Sequence, residues 1–150
     1  MTTEAEQRAR VVAEAHTWVG TPYRDMGEVK GPHGGTDCAK LLKLVYHNAG
    51  LIPPIEVGAY SPQWFLHQDA ELYMGRVKEH AREIAETEAK PGDVVLYKIG
   101  RCFAHGAIII DPGWPAIIHA HVGSRMVVRG RGLDGHLGKP KRERKFFTLW

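Results

Sequence analysis

Residues 35–50 read GTDCAKLLKLVYHNAG, and this stretch predicts a helix with a cysteine in its first turn. Asp37 has the short acidic side chain that caps a helix N-terminus, and Gly50 is the residue type that ends a helix. Between them the leucines and Val45 recur at helical spacing, and Tyr46 widens the apolar stripe. A helix that is apolar over so much of its surface is expected to be buried against a sheet.

Cys38 directly follows the capping residue, where the electrostatics of a helix start act on its side chain. In the first turn of a helix, the dipole and the free backbone amides favour a thiolate over a thiol. The same amides, including that of the cysteine itself, can form part of an oxyanion hole. Most free cysteines are instead small buried hydrophobic residues, so position alone leaves a catalytic and a structural interpretation open.

The segments around this helix carry further local signals. A capping box at Thr3 predicts an amphipathic helix over the first twenty residues, ended at Gly20. A loop rich in glycine and proline follows at residues 27–36, and loops of this length are usually functional or mobile. Ser61, followed by a proline, starts another predicted helix, and residues 76–84 have a helical or mixed pattern.

From Lys90 onwards the sequence changes to short apolar runs separated by turn residues. These runs predict five strands, at residues 94–97, 104–110, 116–122, 126–129 and 146–150. Helices followed by a meander of strands predict an α+β fold in which N-terminal helices pack on an antiparallel β-sheet. The chain has 150 residues and neither an internal repeat nor a boundary, so one domain is expected over residues 1–150.

His105 opens the second of these strands, and the small residues on either side leave room for another side chain. This position suits a base that meets the cysteine where helix and sheet join. His119 lies in the next strand, and we expect it opposite or nearly opposite His105, where it could hold the imidazole in the useful tautomer. His121 lies on the same strand face as His119, so spacing alone does not choose between them.

Five fragments of the chain, in order, resemble the NlpC-type peptidases over roughly residues 8–122. They are GTPY at 20–23, GTDC at 35–38, KPGDVVLY at 90–97, HGAII at 105–109 and IHA at 118–120. The resemblance implies a papain-like fold and a cysteine peptidase that hydrolyses peptide bonds in bacterial cell-wall peptidoglycan, without a cofactor. It also implies that Cys38 is the nucleophile, that His105 is its base and that His119 orients this base.

Two more residues are assigned through the resemblance, to substrate or oxyanion binding. Tyr23 matches a family tyrosine that lies near the nucleophile. Asp37, which directly precedes Cys38, is assigned to the same role. The sequence departs from the family pattern after the nucleophile, where Ala39 and Lys40 replace the usual serine and glycine. In the family that serine helps to bind the peptide end of the substrate. With Ala39 in its place, the sequence does not determine which bond is cut.

The chain looks most like phage-type members, including tail-associated peptidases, in residues 61–64 and in the terminal strand at 145–150. The substrate is then the peptidoglycan stem peptide, and phage tail proteins are candidate partners. No secretory signal and no apolar run of membrane-spanning length are present, so we expect synthesis in the cytoplasm and carriage in a virion. A net charge of +3 does not indicate nucleic acid, and the basic segment 139–145 fits a solvated edge or contact with an anionic polymer.

Three alternatives from other classes remain open at this point. Cys102, His105, His119 and His121 are residue types that bind zinc, although such a site leaves Cys38 unexplained, and Cys102 also suits core packing. The same fold could serve as a non-catalytic tail-assembly or wall-binding module. A thiol amidase or acyltransferase would use the same nucleophile and acyl-thioester intermediate, so the residues do not separate these enzymes.

Overall fold

The computed structural model describes residues 2–54 and 72–150 of the chain. Its described helices are α1 (Glu4–Thr17), α2 (Cys38–Asn48) and α3 (Leu72–Lys78). None of these helices is both long and apolar enough to cross a bilayer. The helix predicted from Ser61 lies almost entirely outside the described residues, and the mixed stretch at 76–84 contains the end of α3 and a short strand.

Both long helices begin where a polar side chain caps them. Thr3 forms the predicted capping box at the start of α1, and Asp37 caps α2 by accepting from the backbone N–H of Lys40 at 2.9 Å. Gly50 follows α2 with a φ of +83°, a left-handed conformation that glycine adopts without strain. Local capping therefore fixes Cys38 as the first residue of α2.

The described strands form one small and one large antiparallel sheet. A two-residue pair, β1 (Glu28–Val29) and β2 (Gly35–Thr36), lies in the loop before α2. The large sheet contains β3 (Arg82–Ile84), β4 (Val94–Ile99), β5 (Cys102–Ile109), β6 (Ala116–His121), β7 (Met126–Arg131) and β8 (Arg144–Thr148). Its order is β3-β8-β4-β5-β6-β7, so β4 to β7 form a meander and β8 returns between β3 and β4. The predicted α+β fold, with helices packed on an antiparallel sheet, is confirmed.

Apolar side chains cover both faces of the large sheet. On one face Leu96 and Ile108 belong to the core that α1 and α2 share with the sheet. On the other face Val95 and Ile109 pack with Phe146 in a second core. Successive side chains of a strand alternate between faces, so the two faces come from one apolar run in each strand.

β5 and β6 pair along only a short ladder, so the first half of β5 lies outside this ladder. Two residue pairs form this ladder, Ile108 with Ile118 and Ile109 with Ile117. β5 continues back to Cys102, paired with β4 on its other side. Helix α2 packs against both β5 and β6, and its first residue reaches the part of β5 that β6 does not cover.

Candidate active site

The sulfur of Cys38 lies against β5, at the peptide groups on both sides of His105. The thiol donates to the backbone carbonyl of Ala104 at 3.4 Å. The backbone amide of Gly106 also faces the sulfur, as do the amides of Ala39 and of Cys38 itself. The start of α2 and the start of β5 therefore bring the two predicted catalytic residues to the same place in the fold.

The thiol of Cys38 is held in its neutral form in the unliganded site. Burial raises its pKa most, and the neighbouring Asp37 carboxylate raises it further. The amides of Gly106, Ala39 and Cys38 act in the opposite direction, and the resulting pKa is about 12. The helix start was expected to favour a thiolate, and here desolvation outweighs that effect.

His105 and His119 share a direct hydrogen bond through their ring nitrogens. Nε2 of His105 lies 2.8 Å from Nδ1 of His119, and the rings meet edge to face with centroids 5.1 Å apart. Continuing the β5–β6 register would place Ala107 across from His119, so the two histidines are diagonal rather than opposite neighbours. The bond leaves Nδ1 of His105 as the ring nitrogen that can take a proton from another group.

Both imidazoles are neutral at ordinary pH. Burial lowers the pKa of His105 to about 3, and the neighbouring His119 and His121 lower it further in that order. Burial also lowers the pKa of His119 to about 4, with smaller effects from His121 and His136. Neutral rings with one proton each are what a hydrogen-bonded base and its orienting partner require.

His121 does not compete with His119 for contact with His105. Its ring stacks on that of His119 at a centroid distance of 5.0 Å. Its Nδ1 accepts from the backbone N–H of Ser124 at 3.2 Å and lies 2.8 Å from the Ser124 hydroxyl. Of the two histidines that spacing alone left open, His119 is therefore the one that hydrogen-bonds to His105.

Tyr23 and Asp37 both lie beside Cys38, in different roles. Burial, followed by the charges of Cys38 and Asp37, raises the pKa of Tyr23, so its hydroxyl remains a hydrogen-bond donor. The two carboxylate oxygens of Asp37 accept from backbone amides, Oδ1 from Lys40 at 2.9 Å and Oδ2 from Met26 at 2.7 Å. Asp37 is thus a helix cap and a fixed negative charge beside the sulfur.

The family of the chain follows from a match over most of its length. The model of the NlpC/P60 family matches residues 20–135, which include every residue of this site. The chain belongs to the NlpC/P60 family. The family is one of cysteine peptidases and peptidoglycan hydrolases, so the enzyme class expected from the sequence is confirmed at the level of the family.

Solved structures of NlpC/P60 proteins share the fold. The NlpC/P60 domain of the peptidoglycan hydrolase SagA is 23% identical with a TM-score of 0.59, covering 92% of this chain and 96% of that one. RipB, a peptidoglycan hydrolase of Mycobacterium tuberculosis, is 18% identical with a TM-score of 0.64, covering 99% and 68%. NlpC1 of Trichomonas vaginalis is 14% identical with a TM-score of 0.65, covering 98% and 45%. No curated protein matches the chain.

Lys40, one of the two residues that depart from the usual NlpC-type pattern after the nucleophile, has a clear structural role. Lys40 is 5% exposed, and its Nζ lies 3.0 Å from Oε1 of Glu28 in β1. Lys43, one turn later, contacts the same oxygen. These ion pairs hold the β1–β2 loop against α2, a long-range contact that the sequence pattern did not indicate.

The sequence pattern also did not indicate a contact between Tyr73 and the backbone of Cys38, for which Gly106 makes room. The hydroxyl of Tyr73 in α3 donates to the backbone carbonyl of Cys38 at 3.1 Å. A Cβ on Gly106 would lie 2.4 Å from this hydroxyl oxygen, so a larger residue there would force Tyr73 to shift. The small neighbour of His105 was predicted to make room for another side chain, and Tyr73 is a side chain that uses that room.

The zinc interpretation finds no ligand set in the described part of the NlpC/P60 domain. No three histidine, cysteine or acidic side chains among residues 2–54 and 72–150 are placed to hold one metal ion. Cys102 is fully buried at the start of β5, as expected of a packing residue.

Proposed function

We propose that this NlpC/P60 chain is a cysteine endopeptidase that cleaves peptide bonds in peptidoglycan stem peptides. Cys38 is the nucleophile, His105 its base and His119 the residue that orients the base. One observation carries the proposal: His105 is bonded to His119 at 2.8 Å, and the Cys38 sulfur contacts the backbone carbonyl of Ala104, next to His105, at 3.4 Å. Two relatives of the same fold, SagA and RipB, are peptidoglycan hydrolases.

The first chemical step starts from a neutral thiol and a neutral imidazole. Because Nε2 of His105 is bonded to His119, Nδ1 of His105 takes the thiol proton as the sulfur attacks the scissile carbonyl. The carbonyl oxygen becomes an oxyanion, and the backbone N–H of Cys38 and the Tyr23 hydroxyl are the donors that stabilise it. His119 accepts from the Nε2–H of His105 and so favours the tautomer that leaves Nδ1 unprotonated.

The second half of the reaction returns the proton and releases the product. His105 gives its proton to the leaving amine as the carbon–nitrogen bond breaks, which leaves an acyl thioester on Cys38. Water then attacks the thioester carbonyl while His105 takes one of its protons. Expulsion of the sulfur, which regains a proton from His105, restores the free enzyme.

The test is digestion of purified peptidoglycan, with the released peptides identified by mass spectrometry. We expect Cys38→Ala to abolish cleavage while circular dichroism shows a folded protein. The matched control is Cys102→Ala, which removes the other thiol and should retain activity. Full activity of Cys38→Ala would refute the mechanism, and activity lost to a chelator and restored by zinc would favour a metal enzyme. A folded wild-type chain that cleaves no wall peptide would indicate a non-catalytic module, and products that carry an added amine would indicate an acyltransferase.

We also propose that the enzyme acts as part of a phage tail, with tail proteins as partners. The support is the resemblance of residues 61–64 and 145–150 to phage-type members. Mass spectrometry of virions purified from cells that express the chain during phage growth tests this placement. Detection of the chain in intact tails is expected, and its presence only in the cell lysate would contradict the proposal.

A further inference from the structure

A cavity lies next to His119, on the side away from His105. It measures about 270 Å³ and lies between β6, β7 and the short helical turn at residues 135–138. His119, His121 and His136 are among its lining residues, together with Gly130 and Asp134. Drug-sized ligands usually occupy about 300–1,000 Å³, so this cavity fits a small group rather than a whole peptide.

One nitrogen of His119 is turned towards this cavity. The side chain is only 5% exposed, and its Nδ1 is engaged by His105. Its Nε2 points at Gly130, where an added Cβ would lie 3.7 Å away. Among residues 2–54 and 72–150, no group accepts a hydrogen bond from this nitrogen, and no described polar side-chain atom is both buried and unsatisfied. The nitrogen is therefore reachable from the cavity.

The proton positions, which rest on the proposed function, make this nitrogen a donor. If Nδ1 of His105 is to take the thiol proton, the resting proton of His105 sits on Nε2 and is donated to Nδ1 of His119. The proton of His119 then sits on Nε2, at the cavity. His121 also keeps its proton on Nε2, because its Nδ1 accepts from the backbone of Ser124. Two imidazole donors thus belong to one small cavity.

The charges around the cavity are mostly positive. The ring of His136 lies 6.0 Å from that of His121. Burial, followed by the nearby positive charges of Arg142 and Lys139, lowers the pKa of His136. The acidic residue in the lining, Asp134, is exposed and lies 3.8 Å from Arg131. Donors and positive charges in a small cavity are complementary to negatively charged oxygen atoms.

We propose that this cavity binds a small oxyanion, a carboxylate or phosphate group, on Nε2–H of His119. An acceptor there fixes the proton of His119 on Nε2, so Nδ1 of His119 stays free to accept from His105. The bound group thereby completes a chain from the oxyanion through His119 to His105 and favours the tautomer that the base needs. The ligand thus acts on the catalytic residue from behind, without touching the substrate.

Imidazole nitrogen NMR of the full-length protein tests the site, with inorganic phosphate and acetate as probes and neutral acetamide as the control. At constant ionic strength, we expect saturable shifts of Nε2 of His119 with both anions and none with acetamide. Tighter binding of phosphate would indicate a wall-polymer phosphate as the natural ligand, and tighter binding of acetate would indicate a peptide carboxylate. An Nε2 of His119 that carries no proton, or shifts that do not saturate, would overturn the proposal.

Gly130 offers a variant that fills the cavity without changing a catalytic side chain. Gly130→Leu should weaken anion binding at least tenfold, and Gly130→Ala, whose methyl stays at ordinary contact distance, should weaken it less. Lys141→Ala removes a positive charge outside the cavity lining and serves as a control; it should change the affinity for the anion less than twofold. Equal binding by Gly130→Leu would refute this site. Binding is also measured in Cys38→Ala, so a chain that binds anions but cleaves no wall peptide would contradict the proposed function alone.

Discussion

At the scale of single residues, Asp37 combines two effects on the nucleophile beside it. As the cap of α2 it places Cys38 in the first turn, where backbone amides face the sulfur. Its charge nevertheless raises the pKa of the Cys38 thiol. The unliganded site therefore keeps the Cys38 thiol neutral.

Asp37→Asn separates these effects, because asparagine also caps helices but carries no charge. We expect the pKa of Cys38 to fall from about 12. Iodoacetamide should then alkylate Cys38 faster at a given pH, by about tenfold for each unit by which the pKa falls. Mass mapping of the label against pH measures this, and Cys102, which is fully buried, serves as the internal control. The variant should also lose about 1–3 kcal/mol of stability, since one amide now bound to the carboxylate loses its acceptor. Unchanged or slower labelling of Cys38 would contradict the assigned effect of Asp37.

His119 is predicted to act through His105 rather than on the substrate. We expect His119→Ala to lower kcat about 10²- to 10⁴-fold with little change in KM, because the base loses its orientation and not its contacts with substrate. Steady-state kinetics on a stem peptide measure the split. A variant that raises KM while kcat stays constant would instead indicate that His119 binds substrate. His119→Asn, which keeps a side-chain acceptor, should recover part of the lost kcat.

At the scale of elements, the helices and strands with local signals were predicted well. Asp37 and Gly50 mark the ends of α2 in the sequence because capping depends on neighbouring residues alone. The insertion of β8 between β3 and β4 was not predicted, because strand order depends on contacts far apart in the chain. The diagonal contact of His105 and His119 depends on the register of β5 and β6, which local spacing does not determine.

The junction of α2, α3 and β5 gives a prediction at this scale. Gly106→Ala would place a methyl 2.4 Å from the Tyr73 hydroxyl, so the Tyr73 side chain must shift away from β5 and from the Cys38 carbonyl. We expect a loss of about 1–3 kcal/mol of stability, measured by urea unfolding. Adding Tyr73→Phe removes the clashing oxygen and should restore part of the loss in a double-mutant cycle. Gly75→Ala in α3, where nothing lies within 4 Å of an added Cβ, is the matched control and should not destabilise. Additive effects of the two changes would show that the clash is not the cause.

At the scale of the whole molecule, one side chain joins the N-terminal helix to the sheet that carries the histidines. Arg8 of α1 forms an ion pair with the fully buried Asp93 at 2.9 Å and donates to the hydroxyl of Thr148 at 3.2 Å. Its guanidinium also lies 4.2 Å from the centre of the Trp150 ring. Asp93 precedes β4, and Thr148 ends β8, so these contacts hold α1 to neighbouring central strands. The sheet then positions β5 and β6, and with them the candidate active site.

The buried histidines make the stability of the whole fold depend on pH. Folding lowers the pKa of His105 to about 3 and that of His119 to about 4, from an ordinary value of 6.5. At pH values between the folded and the ordinary pKa, the unfolded chain therefore binds more protons than the folded protein. Their contribution to stability is therefore fully present above pH 6.5 and is lost as the pH falls from there towards 4 and 3. Each group contributes a slope of up to about 1.4 kcal/mol per pH unit in that window. Urea unfolding between pH 7 and pH 4.5 measures it. His119→Leu should reduce the slope of the unfolding free energy against pH by the contribution of one proton, whereas Cys38→Ala should leave the slope unchanged. A free energy of unfolding that is constant over this range would show that the two imidazoles are not neutral and buried in the folded protein.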